Sequence, residues 1–580
     1  MKPISFINRE SNHFAPDRRI AVMLTILMAF SAVVLIQLFR RSVLQSGLAE
    51  AKAEAQQTVQ VKLNPFRGSI LVKDKDSTAT TPIALNEPQS TVNVVPNQVK
   101  DAKMVAQKLS PLIGMDEAAL FDLINNKKTY IPPVAKKLSL EVGQQIIAMH
   151  LNGVTVSIDG YRTYPEGQLA SQLLGFVNAE GNGQYGVEGY YNNQLQGFIG
   201  SIFGKKDGWG NTYIDQESVT NNKGASIVLT IDRDVQATVE QLLQKYVDEF
   251  KAKSGSVVIV EPQSGKIIAM ASMPTYDPNN YNLVKSDQQN VFQNLNVSRT
   301  FEPGSVMKTI SIAGALDSGK VPIDYTGNYG SSVNVDGFEI HTADNKSYGH
   351  ETVADILVNS DNVAMVDISS KMGRELLNDY MNRFGFGSKT GIDLDSEVAG
   401  SFPALKNWRS TNLATISFGQ GISVTPLQMA MAYSAIANNG KLMKPYVVGE
   451  IDYSDGRVDK TKAQTVRQVV GSSVVQQVTD MMVQVVDRGH GKRAGVTGYK
   501  VAGKTGTAQI ANPDGPGYVE GKNNGSFAGF APATDPKFAM LVTIEEPQGV
   551  QFAESSAAPL WGDIAKYLLK DYYRVAPNGG

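Results

Sequence analysis

The sequence predicts an α+β protein held by a single N-terminal transmembrane helix. Three observations predict it: one uninterrupted apolar run near the start, a long region of short apolar runs broken by turn residues, and a change of rhythm near Gly224 into a helix followed by antiparallel strands. A chain of 580 residues is too long for one core and points to two to four domains.

The apolar run, residues 20–39, reads IAVMLTILMAFSAVVLIQLF, and about 20 such residues are what a helix needs to cross a bilayer. Arg18–Arg19 and Arg40–Arg41 flank it. A cleaved signal peptide would have a shorter apolar stretch and a small-residue cleavage site, whereas Phe-Arg-Arg follows here, so an uncleaved anchor is expected. Residues 1–19 are then a cytoplasmic tail, and the working part of this single-pass cell-membrane protein lies outside the cytoplasm. Lys2 and Arg9 add little to the positive charge that would set this orientation. Residues 40–60 have helix-favouring composition and are expected to extend the span as a juxtamembrane stalk helix.

Residues 61–220 carry runs such as RGSILVKD and QSTVNVVP, which read as strands and turns, with amphipathic helices at 101–110 and 139–150. This is an elongated mixed α/β pedestal. From 221 to 575 the pattern changes. SIVLTI is a strand; Asp232 or Asp234 caps a helix with Val235, Val239, Leu242, Leu243, Tyr246, Val247 and Phe250 on one face. GSVVIVEP and KIIAMASM follow as buried strands joined by a turn at 263–265.

Composition excludes several functions. With 42% hydrophobic and 19% charged residues the chain is neither disordered nor membrane-embedded throughout. A net charge of −2, with no basic stripe or phosphate-cradling loop, gives no argument for nucleic acid. The lack of cysteine rules out disulfides, thiolate metal sites and cysteine nucleophiles. His13, His150, His341, His350 and His490 are scattered without metal-ligand spacing, so no metal site is expected.

Chemistry concentrates at residues 301–308, FEPGSVMK. Pro-Gly is a helix-start signal, and positions three apart on a helix share a face, with Cβ atoms about 5–6 Å apart. Ser305 would sit at the helix mouth with Lys308 beside it: a capping serine with a solvated lysine, or a nucleophile with its base. Further motifs favour the second. S-x-x-K combines with S-D-N and K-T-G in penicillin-recognising serine enzymes. NSDNVAM supplies Ser360, Asp361 and Asn362, and VAGKTGTAQ supplies Lys504, Thr505, Gly506 and Thr507, in the expected order. Ser332-Val333-Asn334, Ser410-Thr411-Asn412 and the second KTG at 389–391 are decoys. YKVAGKTGTAQI is strand-like on both sides, whereas Lys389 follows a Gly-Phe-Gly turn closing a helix, and KTG must lie on a strand edge to pair with an extended substrate.

The chain resembles a class B penicillin-binding protein, a monofunctional peptidoglycan D,D-transpeptidase. NPFRGSIL, YRTYPEGQLASQLLGFV and GQYGVEGYY resemble that family's pedestal motifs, with Arg67, Arg162 and Glu188 as charged members. FGFGSKTGIDL and FGQGISVTPLQMA resemble stretches of its catalytic domain. The resemblance implies a pedestal of the family's dimerisation type and a transpeptidase domain with an antiparallel sheet and flanking helices. It implies that Ser305 attacks the D-Ala-D-Ala bond of a stem peptide and passes the acyl group to an acceptor amine. Lys308 would be the base, Ser360 a proton relay and Asn362 a holder of Lys308 and the substrate amide. Lys504, Thr505, Gly506 and Thr507 would bind the substrate carboxylate, with Lys504 as a fixed cation. The Ser305 and Thr507 N–H groups would form the oxyanion hole. No cofactor is implied. Expected partners are peptidoglycan stem peptides, β-lactams and a membrane glycosyltransferase of the shape, elongation, division and sporulation type. Motif spelling leans toward septal wall synthesis. The alternatives are a cell-elongation transpeptidase, a D,D-carboxypeptidase or a β-lactam sensor. Arg67, Arg162 and Glu188 read either as surface charges or, as the motifs favour, a buried structural pairing. Trp408 and Tyr281 read either as groove lining or as packing.

Overall fold

The computed structural model describes residues 16–44, 58–62, 66–77, 79–197, 201–206, 212–213, 223–511 and 517–577. The chain divides into two compact units, Met1–Leu63 with Ile199–Asn221, and Asn64–Phe198 with Asn222–Gly580. In the first, the helix Pro16–Phe39 continues through Arg40–Leu44. Within it Arg18–Val43 is long and apolar enough to cross a membrane, and none of it is buried against the rest of the protein. A three-stranded antiparallel sheet joins Thr58–Lys62, Ser201–Lys206 and Thr212–Tyr213. Residues 58–60 of the expected stalk helix are therefore in a strand. TVQVK alternates β-branched with polar residues, which suits a strand better than a helix. Residues 1–15 of the expected tail and 45–57 of the stalk lie outside the described residues.

The second unit is α+β, as the sequence predicts. Its first sheet runs in the order Val458–Lys460, Val448–Asp452, Ser226–Leu229, Ile70–Lys73, Thr80–Val94, Ala135–Leu138, with Val154–Thr163 also paired to Thr80–Val94. All pairings are antiparallel except that of Ser226–Leu229 with Ile70–Lys73. Strands from both the pedestal and the following region thus share one sheet. The helices Ala102–Ile113 and Leu140–Ala148 start where side chains satisfy orphan N–H groups: Asp101 accepts from Met104 N and Ser139 from Val142 N. Val105, Leu109 and Ile146 pack with Val92 and Val94 into a separate small core. Lys75, at the turn after Ile70–Lys73, donates to the Tyr572 carbonyl at 2.7 Å and lies 4.6 Å above the Tyr572 ring.

Three charges meet inside the pedestal. Arg67 Nε donates to Glu188 Oε2 and Arg162 Nε to Glu188 Oε1, each at 2.6 Å, and Tyr164 OH adds 3.2 Å to Oε1. Glu188 is fully buried. Burial alone would raise its carboxyl, but Arg162 and Arg67 outweigh that and hold it below the usual range. The arginines also reach the Glu188 and Gly68 carbonyls, so one carboxylate ties together three segments distant in sequence. Removing one member of such a cluster strands the remaining charge in the interior.

The second sheet has five antiparallel strands in the order Ile267–Met273, Ser254–Val260, Phe538–Glu545, Tyr518–Ala531, Ala502–Ala511. The first two are joined by the turn expected at 263–265 and are buried at every position. Helices cover both faces, so alternate residues enter different cores: Val258 and Val260 face one, Val257 and Ile259 the other. Arg233–Glu249, capped by Asp232, and Ala557–Tyr567 lie on one side. On the other lie Pro426–Ala437 and Val306–Asp317, the latter buried from Val306 to Leu316. Trp408 is buried, with Nε1 donating to the Pro403 carbonyl at 2.7 Å, and Tyr281 stacks on Phe176 at 4.3 Å. Both serve as packing.

Candidate active site

The helix Val306–Asp317 begins at Ser305, just after Gly304 at φ +59°. Ser305 is half-buried and makes no side-chain cap bond. Lys308 follows one turn later and is fully buried. Its amine donates to the Ser360 carbonyl, to Asn362 Oδ1 at 2.7 Å and to Ser360 Oγ at 3.3 Å.

The S-D-N segment is a junction between two helices, Val353–Asn359 and Asn362–Met372. Thr352 and Asp355 form a capping box at the first N-terminus, a signal legible as T-V-A-D. Ser360 ends that helix in the left-handed region at φ +58°, which turns its carbonyl and hydroxyl toward Lys308. Asp361 caps the next helix through Oδ1, accepting from Val363 N at 2.6 Å and Ala364 N at 3.0 Å. Asn362 Nδ2 donates to the His341 carbonyl at 3.0 Å, which leaves one amide proton for a ligand.

KTG at 504–506 lies on Ala502–Ala511, an edge strand of the five-stranded sheet. It touches the helix start through glycine. A Cβ at Gly506 would fall 2.6 Å from the Pro303 carbonyl oxygen and 3.0 Å from Val306 Cγ1, and one at Gly304 would fall 2.8 Å from the Thr507 carbonyl oxygen. Lys504 is fully buried, with its amine 3.0 Å from Ser360 Oγ and 3.1 Å from the Thr505 carbonyl. Thr507 Oγ1 accepts from Ala553 N at 3.0 Å. The other KTG lies off any strand: Thr390 N and Gly391 N donate to the Glu397 carboxylate, and Lys389 is exposed.

Ser360 Oγ therefore stands between two buried lysine amines. Burial, then the charge of Lys504, pushes Lys308 well below the usual lysine range, while Asp361 and Glu351 pull the other way. Burial also pushes Lys504 down to about 7, against the pull of Glu554. Complete burial is therefore what lowers the Lys504 amine. Sequence reading did not single out Glu351, a buried carboxyl eight residues before Asn359 with no motif around it.

A half-buried serine at a helix mouth, with two desolvated lysines sharing a hydroxyl behind it, defines a penicillin-recognising serine acyltransferase. The Penicillin binding protein transpeptidase domain family matches residues 255–566, and the Penicillin-binding Protein dimerisation domain family matches 62–229. Stage V sporulation protein D of Bacillus subtilis is 35% identical over 87% of this chain and 78% of its own. Peptidoglycan D,D-transpeptidase FtsI of Escherichia coli K12 is 31% identical over 84% and 82%. Among solved structures, a peptidoglycan synthetase from Bifidobacterium adolescentis aligns with TM-score 0.70 at 27% identity, covering 90% of this chain and 98% of that one. Penicillin binding protein 3 of Mycobacterium tuberculosis, complexed with aztreonam, aligns at 0.68 and 26%, covering 89% and 98%. The chain belongs to the class B penicillin-binding proteins, serine-type peptidoglycan D,D-transpeptidases.

Proposed function

We propose that this transpeptidase cross-links stem peptides through an acyl-enzyme on Ser305, in septal wall synthesis. Ser305 Oγ attacks the carbonyl between the two terminal D-alanines while Lys308 takes the hydroxyl proton. The C–N bond breaks, and Ser360 passes a proton to the departing D-alanine. An acceptor amine then attacks the acyl carbon and gives up a proton to Lys308, the ester C–Oγ bond breaks, and that proton returns to Ser305 Oγ. Lys504, Thr505 and Thr507 hold the donor carboxylate beside the edge strand, with Gly506 giving the close approach. The N–H groups of Ser305 and Thr507 serve as the oxyanion hole.

The observation that carries this reading is the bonding of Lys308. A neutral amine has two protons, which suit the Ser360 carbonyl and Asn362 Oδ1, and its remaining contact, the longest at 3.3 Å to Ser360 Oγ, then falls to the lone pair that accepts a hydroxyl proton. A pedestal over 61–220 and a catalytic domain over 221–575, anchored through residues 20–39 and facing out of the cytoplasm, would meet the wall and a membrane glycosyltransferase. The spelling of FEPGSVMK and GKTGTAQ supports the septal branch. A sporulation role is the second reading, favoured by the name of the 35% identical relative.

The test is product analysis with a D-Ala-D-Ala donor, with and without acceptor amine. Cross-linked product that dominates when the amine is present supports the reading; hydrolysed donor under both conditions would make the protein a carboxypeptidase. The two KTG segments give a second expected outcome. Lys504→Ala weakens donor binding strongly, and Lys389→Ala leaves acylation within a few-fold of wild type, as for a solvated charge. Acylation rates with a chromogenic β-lactam check both, and a reversal of the two effects would refute the assignment.

A further inference from the structure

Behind the Ser360–Asn362 junction lie two carboxyl groups that the reaction as described does not use. Glu351 is 1% exposed and Asp361 is fully buried. Glu351 Oε1 accepts from Asn359 Nδ2 at 2.8 Å, and Asp361 Oδ1 accepts the two N–H groups of the helix cap. Their other oxygens, Glu351 Oε2 and Asp361 Oδ2, are completely buried and lack a donor. The two side chains nevertheless stand within hydrogen-bonding reach of each other. Two carboxylates can only accept, so this contact needs a proton. Ionising both would place two buried charges side by side.

We propose that Glu351 and Asp361 share one proton, donated by Glu351 to Asp361 Oδ2, and that the pair is a positioning element that sets how readily Lys308 is deprotonated. This rests on Lys308 acting as the base. The shared hydrogen bond ties the strand Gly349–Thr352 to the residue between Ser360 and Asn362, both of which accept from Lys308. It also keeps the charge behind Lys308 at one negative unit.

The surroundings favour Glu351 as the proton holder. Burial raises it to about 7, the Asn359 hydrogen bond lowers it, and the Asp361 contact raises it again. Asp361 Oδ1 already accepts two N–H groups, which leaves Oδ2 to accept from Glu351. The other charged groups facing the pair are Lys308, Tyr348 and Asp355, and Asp355 is paired with Arg488 at 2.8 Å. Lys504 lies on the far side of Ser360, its amine 3.0 Å from Ser360 Oγ, and its charge also acts on Lys308. When pH rises past about 7, Glu351 loses its proton and a second negative charge appears near Lys308. That charge favours the ammonium and opposes the loss of the lysine proton. Glutamine at 351 cannot ionise, yet its amide can donate to Asp361 Oδ2 while its oxygen accepts from Asn359.

The test uses the full chain in detergent, wild type against Glu351→Gln, with two readouts. Infrared difference spectroscopy across pH should show the C=O stretch of a protonated carboxylic acid in wild type, fading through about pH 7, and absent in the variant. The half-point of the acylation-rate profile with a chromogenic β-lactam should move to lower pH in Glu351→Gln, by roughly one unit, the low end of the shift that one nearby opposite charge produces. A purely structural role would lower the rate without moving the half-point. No carboxylic acid band, a band that survives Glu351→Gln, or an unmoved half-point would each overturn the proposal. Failure of the base assignment itself is read separately, from Lys308→Arg, and leaves the infrared band to decide the shared proton.

Discussion

Ser305→Ala is expected to abolish covalent labelling by a fluorescent penicillin while leaving the fold intact. The Ser305 hydroxyl makes no cap bond and its side chain is half-buried, so its removal costs little structure. Substitutions away from buried or capping features change stability by about 0.5 kcal/mol or less. The melting temperature of the variant should therefore match that of wild type. Intact-mass analysis with peptide mapping should find the adduct on Ser305 alone. An adduct that persists in Ser305→Ala, or maps to another serine, would refute the nucleophile.

Lys308→Arg is expected to slow acylation by about 10²–10⁴, the range for loss of a general base. Arginine keeps the charge and cannot be deprotonated in a protein, so it separates proton transfer from electrostatics. The site is tight, because Lys308 is fully buried and its amine lies within hydrogen-bonding distance of three oxygens. Lys308→Ala and the melting temperatures of both variants are therefore measured alongside. If Lys308→Arg acylates nearly as fast as wild type, Lys308 is not the base. Acylation by wild type should fall as pH drops, because protonating Lys308 removes the acceptor for the serine proton.

Much of this architecture is legible in the sequence because its signals are local. The buried strands at 254–260 and 267–273, the helix capped by Asp232 and the Pro-Gly helix start all follow from residues near one another. The separation of the two KTG segments rests on strand-like flanks against a helix-closing turn, and the structure puts only the first on a sheet edge. What the sequence hides is non-local. Nothing in HETVADIL marks Glu351 as a buried acid, since its partner Asp361 arrives only after the chain has turned through a helix. Complete burial of Lys504 is equally invisible, because its amine meets Ser360, 144 residues away in the chain. Thr58–Lys62 departs from the expected stalk because its partner, Ser201–Lys206, lies far along the chain.

The sheet shared by Ile70–Lys73, Ser226–Leu229 and Val448–Asp452 has a consequence for how the protein is made. Ile70–Lys73 emerges about 380 residues before the last of these strands. At roughly 5–20 residues per second of synthesis, that leaves an unfinished edge for about 20 to 80 seconds. Lys75 waits longer still, since Tyr572 lies almost at the far end. An early pedestal is therefore a half-built surface with open backbone groups, on which another nascent chain could pair. Its completion is timed by synthesis of the catalytic region, and a chain truncated before residue 448 would remain a substrate for chaperones and proteases.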